Sequence, residues 1–526
     1  MRRGLVRATY ALAGFVLVGG VLASCTLDPG PGSNPASSLP VVPVDAPPDL
    51  VPYYTQQVKW TTCPGNNDVN CTWVKVPLDY AKPTKGFIRL RVAYAPSIGS
   101  KSERLGYLFT NPGGPGGPGL EIPFDPGGYV SNIVRKHFDI LGWDPRGVGA
   151  SAPIECLTNK QTDVLVNINP SPTTPREIAT YTAAQAAFAQ ACKVKNPRMY
   201  NHVGTVAAAH DMDIIRGVLG QPSMYYLGFS YGTYLGTWYA EQFPKRVARL
   251  VLDGAMNPAL DNTQLGFEQL KGFERALYRF LEWCPSSSSC PKLFNVSEAA
   301  RIQIIVAEQK LLAKQPAPTS DEQRPLTLSL FQLGLVYPLY DDAGGWPALA
   351  DALNQLLTHD DGSAMLDMAD AYLQRQPDGT YENNSFVAFN AIQCYDKPPT
   401  PLLAGTKQLA QEWSASYPVL GNNFAWSNML CGLWPAHTDL KPAPLHAKGA
   451  APIMVIGTTY DPATPYDEAV ALSQQLDSGI LVTWIGDGHT AYNRGSSCIQ
   501  TTVDDYLLHG IVPKKGLVCP SIGEPR

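Results

Sequence analysis

Residues 223–244 read SMYYLGFSYGTYLGTWYAEQFP. The first seven are apolar and β-prone, which predicts a buried strand. From Tyr231 the pattern turns helical, and Pro244 stops it. Between the two lies Gly228-Phe229-Ser230-Tyr231-Gly232, a serine with a glycine two residues to either side. A strand, then Gly-x-Ser-x-Gly, then a helix is the setting in which a serine hydroxyl is raised above a sheet edge for nucleophilic attack. The following helix aims the positive end of its dipole at the same spot. A plain serine N-cap would account for Ser230 but not for both glycines.

Outward from this stretch, strands and helices alternate. WVKVPLDY (73–80) and FIRLRVAYA (87–95) read as two early strands, and RLGYLFTNPGG (104–114) as a strand running into a glycine-rich turn. HFDILGWD (137–144) and RVARLVLDG (246–254) read as strands, and 179–194 and 206–220 as helices. This rhythm implies a mostly parallel, doubly wound sheet with helices on both faces, class α/β. It breaks after about residue 258. Residues 258–446 read as helices and irregular segments, and strands return in APIMVIGTTYDPATP (451–465) and GILVTWIGDGHT (479–490), each running into a loop. The expected organisation is a core over 61–257 and 447–526, with a helical lid inserted over 258–446.

At 526 residues the chain is too long for a single compact core. Its 44% hydrophobic and 16% charged residues describe a globular protein and exclude disorder. A net charge of −5 without a long basic run argues against a nucleic-acid partner. The N-terminus carries Arg2, Arg3 and Arg7, then an apolar run from Tyr10 to Ala23 that is too short to span a bilayer. Leu22-Ala23-Ser24-Cys25 has the form of a lipobox, which makes Cys25 the expected lipidation site and 1–25 a lipoprotein signal peptide; an ordinary signal peptide is the alternative. The Pro/Ser/Gly-rich residues 26–60 read as an extended linker. Export to the cell membrane or the medium follows, with membrane contact through the N-terminal lipid only.

Apart from Cys25, ten cysteines remain, an even set in an exported chain. Pairing neighbours gives Cys63–Cys71, Cys156–Cys192, Cys284–Cys290, Cys394–Cys431 and Cys498–Cys519. The cysteines lack C-x-x-C spacing and paired histidines, so no metal site is expected.

A serine needs a base. Of eight histidines, His489 follows the last core strand directly, in GDGHT. The acid should leave the strand before it, where IMVIGTTYDPATP places Asp461. Asp253, at the end of LVLDG, is the rival, and Asp487 is too close to His489 in sequence to orient its ring. Thr464 shapes the Asp461 loop or caps the next helix. A tetrahedral oxyanion needs backbone donors. The amide of Tyr231 is one, and NPGGPGGPG (111–119) offers Gly114, with Gly113 as alternative. A phosphate-cradling reading of these glycines lacks the G-K-[ST] it requires.

NPGGPGGPG, GWDPRGVGAS (142–151), GFSYGTYLG, LVLDGAMNP, DPATP and GDGHT together resemble the exported actinobacterial α/β-hydrolases of the tripeptidyl aminopeptidase type. These are relatives of proline iminopeptidase, and the group includes a mycobacterial lipoprotein serine protease (carboxylesterase A). The similarity runs from about residue 60 to 520. It implies an α/β-hydrolase fold and a catalytic set of Ser230, Asp461 and His489, with Gly113 and Gly114 in the oxyanion loop. Pro112 stands where proline iminopeptidase has a histidine. Asp144 and Arg146 are expected to brace loops around the site, or to form a surface salt bridge. The resemblance implies a cofactor-free serine peptidase that binds the free amine of a peptide or protein N-terminus through lid carboxylates. Glu121, Asp341 and Asp342 are candidates for that role. An esterase or thioesterase acting on envelope lipids or small esters is the alternative, and a non-catalytic binding lipoprotein a third reading.

Overall fold

The computed structural model describes residues 39–522. The signal segment, Cys25 and the first part of the linker lie outside the described residues. The described residues form one compact unit.

Among the described residues ten strands form a single sheet: β1 Thr61–Cys63, β2 Asn66–Pro77, β3 Phe87–Ala95, β4 Gly106–Asn111, β5 Phe138–Trp143, β6 Met224–Phe229, β7 Val247–Asp253, β8 Ile453–Tyr460, β9 Gly479–Asp487 and β10 Leu517–Cys519. Their order is β1-β2-β3-β5-β4-β6-β7-β8-β9-β10. The β1–β2, β2–β3 and β3–β5 pairs are antiparallel, and every later pair is parallel. The central strands β4 and β5 are buried at every residue, as a sheet covered on both faces requires. One face carries the helices Thr205–Val218 and Tyr231–Gln242, packed with Val92, Tyr226 and Leu252. The other carries the closing helix Ser497–His509, packed with Leu108, Val251 and Ile456.

Between β7 and β8 the regular structure of the described chain is helical, joined by irregular segments, with two isolated bridges, Ala317–Leu326 and Arg375–Tyr381. Its longest helix, Asn262–Trp283, starts on a capping box made by Asp261 and Gln264 and buries Leu277, Phe280 and Leu281 in a separate apolar cluster with Leu335, Trp346 and Leu353. The end of the insertion belongs elsewhere: Ala388, Ile392 and Trp434 pack into the cluster on the sheet.

Among the described residues five disulfides join neighbouring cysteines: 63–71, 156–192, 284–290, 394–431 and 498–519. Three features escaped the sequence patterns. β1 and β10 are three-residue edge strands, too short to show a period. The last part of the expected linker is not extended: residues 48–54 form two helical turns. There Tyr54 is buried and its hydroxyl donates to Asp213 Oδ2 at 2.6 Å. A buried aromatic with a polar partner fixes a segment whose composition reads as loose.

Candidate active site

β6 ends at Phe229 and the next helix begins at Tyr231, so Ser230 alone makes the turn. It does so at φ 54°, ψ −125°. A non-glycine residue pays on the order of 1–3 kcal/mol to stay in such a region, and the surroundings must impose it. They do. The Ser230 amide donates to the Asp253 carbonyl at 2.9 Å, and Thr233 Oγ1 donates to the Ser230 carbonyl at 2.6 Å. The flanking glycines are set by close approach. A Cβ on Gly228 would lie 2.5 Å from the Gly232 carbonyl, and one on Gly232 would lie 2.8 Å from the Asn111 carbonyl on β4. The turn is tight enough to need both, which an ordinary N-cap would not.

Asp461 and His489 leave the ends of β8 and β9. His489 Nδ1 lies 2.9 Å from each Asp461 carboxylate oxygen. A carboxylate oxygen accepts, so a neutral imidazole in this position donates from Nδ1 and leaves its lone pair on Nε2, the form a general base needs. Asp461 is itself fixed. Its oxygens accept from the amides of Ala463, Thr464 and Thr490 at 2.9–3.1 Å and from Thr464 Oγ1 at 3.1 Å. Thr464 thus shapes the acid loop rather than capping the helix Tyr466–Gln475, which has no side-chain cap. The Asp461 side chain is fully buried and that of His489 is 12% exposed, so only an edge of the ring meets solvent.

Ser230 and His489 flank one dipeptide. The Asp253 carbonyl holds the Ser230 amide, and a Cβ on Gly254 would lie 3.2 Å from His489 Cε1. Gly254, at φ 67°, lets the ring approach. The rival acid Asp253 does not touch the His489 ring. Its carboxylate accepts from the amides of Ala491 and Tyr492 at 2.8–3.1 Å and so holds the loop that carries His489. Burial pushes its pKa up to about 6.

The 111–119 loop lies against the elbow. A Cβ on Gly113 would stand 2.6 Å from the Phe229 carbonyl and 2.9 Å from Ser230 Cβ. The Gly113 amide donates to Asn111 Oδ1 at 3.0 Å, which occupies it and leaves Gly114 as the glycine of the pair with an amide to offer a ligand. Tyr231 stands at the first position of its helix, where amides have no intrahelical partner.

The other acidic candidates have structural partners. Glu121 accepts from the Tyr129 hydroxyl. Asp341 and Asp342 both accept from Arg494 Nη2, at 3.0 and 2.9 Å. Asp487 is held by Arg279 of the helix Asn262–Trp283, whose guanidinium lies 3.6 Å from the centre of the Tyr460 ring. Asp144 accepts from the amides of Ala150 at 2.9 Å and Leu120 at 3.4 Å, bracing the end of the glycine loop. Burial pushes its pKa up to about 6. Arg146 makes no surface pair: it is wholly buried on Asp211, with Nη2–Oδ1 at 2.6 Å.

Two residues at the site carried no sequence signal. The Tyr340 carbonyl accepts from the His489 amide at 2.8 Å, and the Tyr340 ring meets the imidazole edge-on at 5.4 Å. Arg494 Nη1 donates to the His489 carbonyl at 3.0 Å while Nη2 binds Asp341 and Asp342. Both join the inserted helices to the histidine loop. Neither sits in a motif; Arg494 is only five residues from His489, whereas Tyr340 is remote in sequence and reaches it only in the folded chain.

The chain matches the α/β-hydrolase fold family over residues 108–300 and the TAP-like protein family over residues 417–519. Serine protease Hip1 of Mycobacterium tuberculosis is 34% identical over 89% of this chain and 92% of its own length. Tripeptidyl aminopeptidase of Streptomyces lividans is 30% identical over 89% and 88%. Carboxylesterase B of Mycobacterium tuberculosis is 32% identical over 97% and 96%. With the elbow serine, the aspartate–histidine pair and these end-to-end likenesses, the chain belongs to the TAP-like serine hydrolases of the α/β-hydrolase fold.

Proposed function

We propose that this chain is a serine peptidase that removes short peptides, of tripeptide size, from the N-terminus of a peptide or protein. Ser230 Oγ attacks the carbonyl, and His489 Nε2 takes its proton. The amides of Tyr231 and Gly114 stabilise the oxyanion. His489 then gives the proton to the leaving amine, and water releases the acyl-enzyme by the same route. Asp461 fixes the imidazole tautomer and offsets its charge. Strained Ser230 carries the reading: a backbone held at φ 54° directly before a helix, beside a histidine paired with a carboxylate, is the arrangement that presents a serine hydroxyl for attack. The likeness to serine protease Hip1 and to tripeptidyl aminopeptidase supports peptides as the substrate class. An N-terminal lipid on Cys25 would keep the enzyme at the outer surface of the cell membrane.

The likeness to carboxylesterase B favours a second reading, in which the same residues hydrolyse esters. One comparison separates them: kcat/KM on a tripeptide amide with a free amine, on its N-acetylated form and on a short-chain ester. The peptidase reading expects the free amine to be preferred by tenfold or more, on the order of the 1.4 kcal/mol that a tenfold ratio represents. Equal rates with and without the acetyl group remove the aminopeptidase reading, and a dominant ester rate supports the second.

A further inference from the structure

The outer face of the β2–β3 hairpin has no role in the hydrolytic site. In its register, Lys75 lies directly opposite Arg89 and Trp73 opposite Arg91. Like charges facing each other across an antiparallel pair cost stability. No carboxylate offsets this pair: among the described residues, neither Lys75 nor Arg89 takes part in a salt bridge. The aromatics beside them are unusually open. Trp73 is 42% and Phe87 45% exposed. Each carries a cation over its ring, Arg91 at 5.1 Å and Lys75 at 5.0 Å.

The patch continues past the strands. Phe87, Arg89, Lys195 and Arg198 line a groove of about 520 Å³ beside the hairpin. Arg198 Nη2 lies 3.9 Å from where a Cβ on Gly86 would sit, so it reaches the hairpin turn. Lys195 and Arg198 are also exposed and outside every salt bridge among the described residues. With Arg91, five cations outside every salt bridge among the described residues share this face and its groove with two open aromatic rings, a local reversal of charge on a chain of net charge −5.

We propose that this face docks on an anionic phospholipid surface. The chemistry suits that partner on two counts. Lysine and arginine heads reach acidic headgroups while their stems lie along apolar surface. Tryptophan and phenylalanine settle at the boundary between headgroups and acyl chains. A nucleic acid fits the overall acidity of the chain poorly. The contact is separate from the N-terminal lipid expected from the sequence: it would set which way the molecule faces the membrane.

The test uses residues 39–522, which form one compact unit and lack Cys25. Co-sedimentation is measured with vesicles of phosphatidylcholine containing phosphatidylglycerol and with vesicles of phosphatidylcholine alone, at low and high salt. The expected result is binding to the anionic vesicles only, weakened by salt. Each cation removed should weaken it about fivefold, so Lys75→Gln with Arg89→Gln should weaken it about 25-fold. Hydrolysis of a soluble substrate should be unchanged, and the Tm should hold or rise because a like-charge contact is gone. If that pair fails to fold, Arg89→Gln with Arg198→Gln carries the same expectation. The proposal is overturned if the wild type ignores anionic vesicles, if it binds both kinds equally, if the variants bind as the wild type does, or if it is retained on a soluble polyanion but not on vesicles.

Discussion

Two buried aspartates lie next to His489, and only one touches its ring. Asp461 accepts from Nδ1, whereas Asp253 accepts from the amides of Ala491 and Tyr492. Their substitutions should therefore separate. Asp461→Asn offers a donor where the imidazole needs an acceptor, which favours the wrong tautomer; kcat should fall by about 10⁴. Asp253→Asn keeps an oxygen for one amide and places an NH₂ near the other. It should cost about 1–3 kcal/mol of stability through the unsatisfied group, with kcat reduced far less than in the Asp461 variant. Steady-state kinetics with chemical denaturation on both variants checks this, and equal losses of kcat would reject the division of labour. At this scale much was legible. Ser230, Asp461 and His489 stand at the ends of strands whose patterns are plain, in the order the fold requires. The bracing role of Asp253 was not, because its partners are backbone amides 238 and 239 residues away.

At the scale of elements, the inserted helices are bolted to the loop after β9. Arg494 grips Asp341, Asp342 and the His489 carbonyl, Arg279 grips Asp487, and Tyr340 holds the His489 amide. The position of the base is thus partly set by the insertion. Arg494→Met should lower kcat by about ten- to a hundredfold, the cost of small misplacements of a catalytic group, while KM changes little. The ion pairs it removes are partly exposed and contribute little to stability, so the Tm should move by only a few degrees. A variant with wild-type kcat would show that the insertion does not position the base. The sequence made the core strands and the helical character of the insertion readable through their periods. The joints between the insertion and this loop stayed hidden because they pair residues far apart in sequence, 152 and 153 positions for Arg494 with Asp342 and Asp341 and 208 for Arg279 with Asp487. The packing of Tyr54 on Asp213 was hidden for the same reason, beneath a composition that reads as linker.

For the whole molecule, buried carboxylates set the response to pH. Glu468, on the helix after the acid loop, is fully buried and accepts from the Asn257 amide at 2.9 Å, while its Oε1 has no partner among the described residues. Burial, with Glu268 and Asp461 nearby, pushes its pKa from 4.5 up to about 8 despite the opposing Lys397. The folded protein therefore prefers it protonated. Its favourable contribution is complete below about pH 4.5 and is lost as the pH rises through about 8. Glu468→Gln removes that dependence. The variant should melt above the wild type at pH 8–9, and the difference should close towards pH 4–5. A constant offset across the range would contradict the assignment.

In the proposed reaction Ser230 Oγ is the atom that forms the covalent bond. The direct measurement is intact-protein and peptide mass spectrometry after treatment with a fluorophosphonate. One adduct on Ser230 is expected in the wild type and none in Ser230→Ala. An unlabelled wild type, a label on another residue, or labelling that survives Ser230→Ala would contradict it.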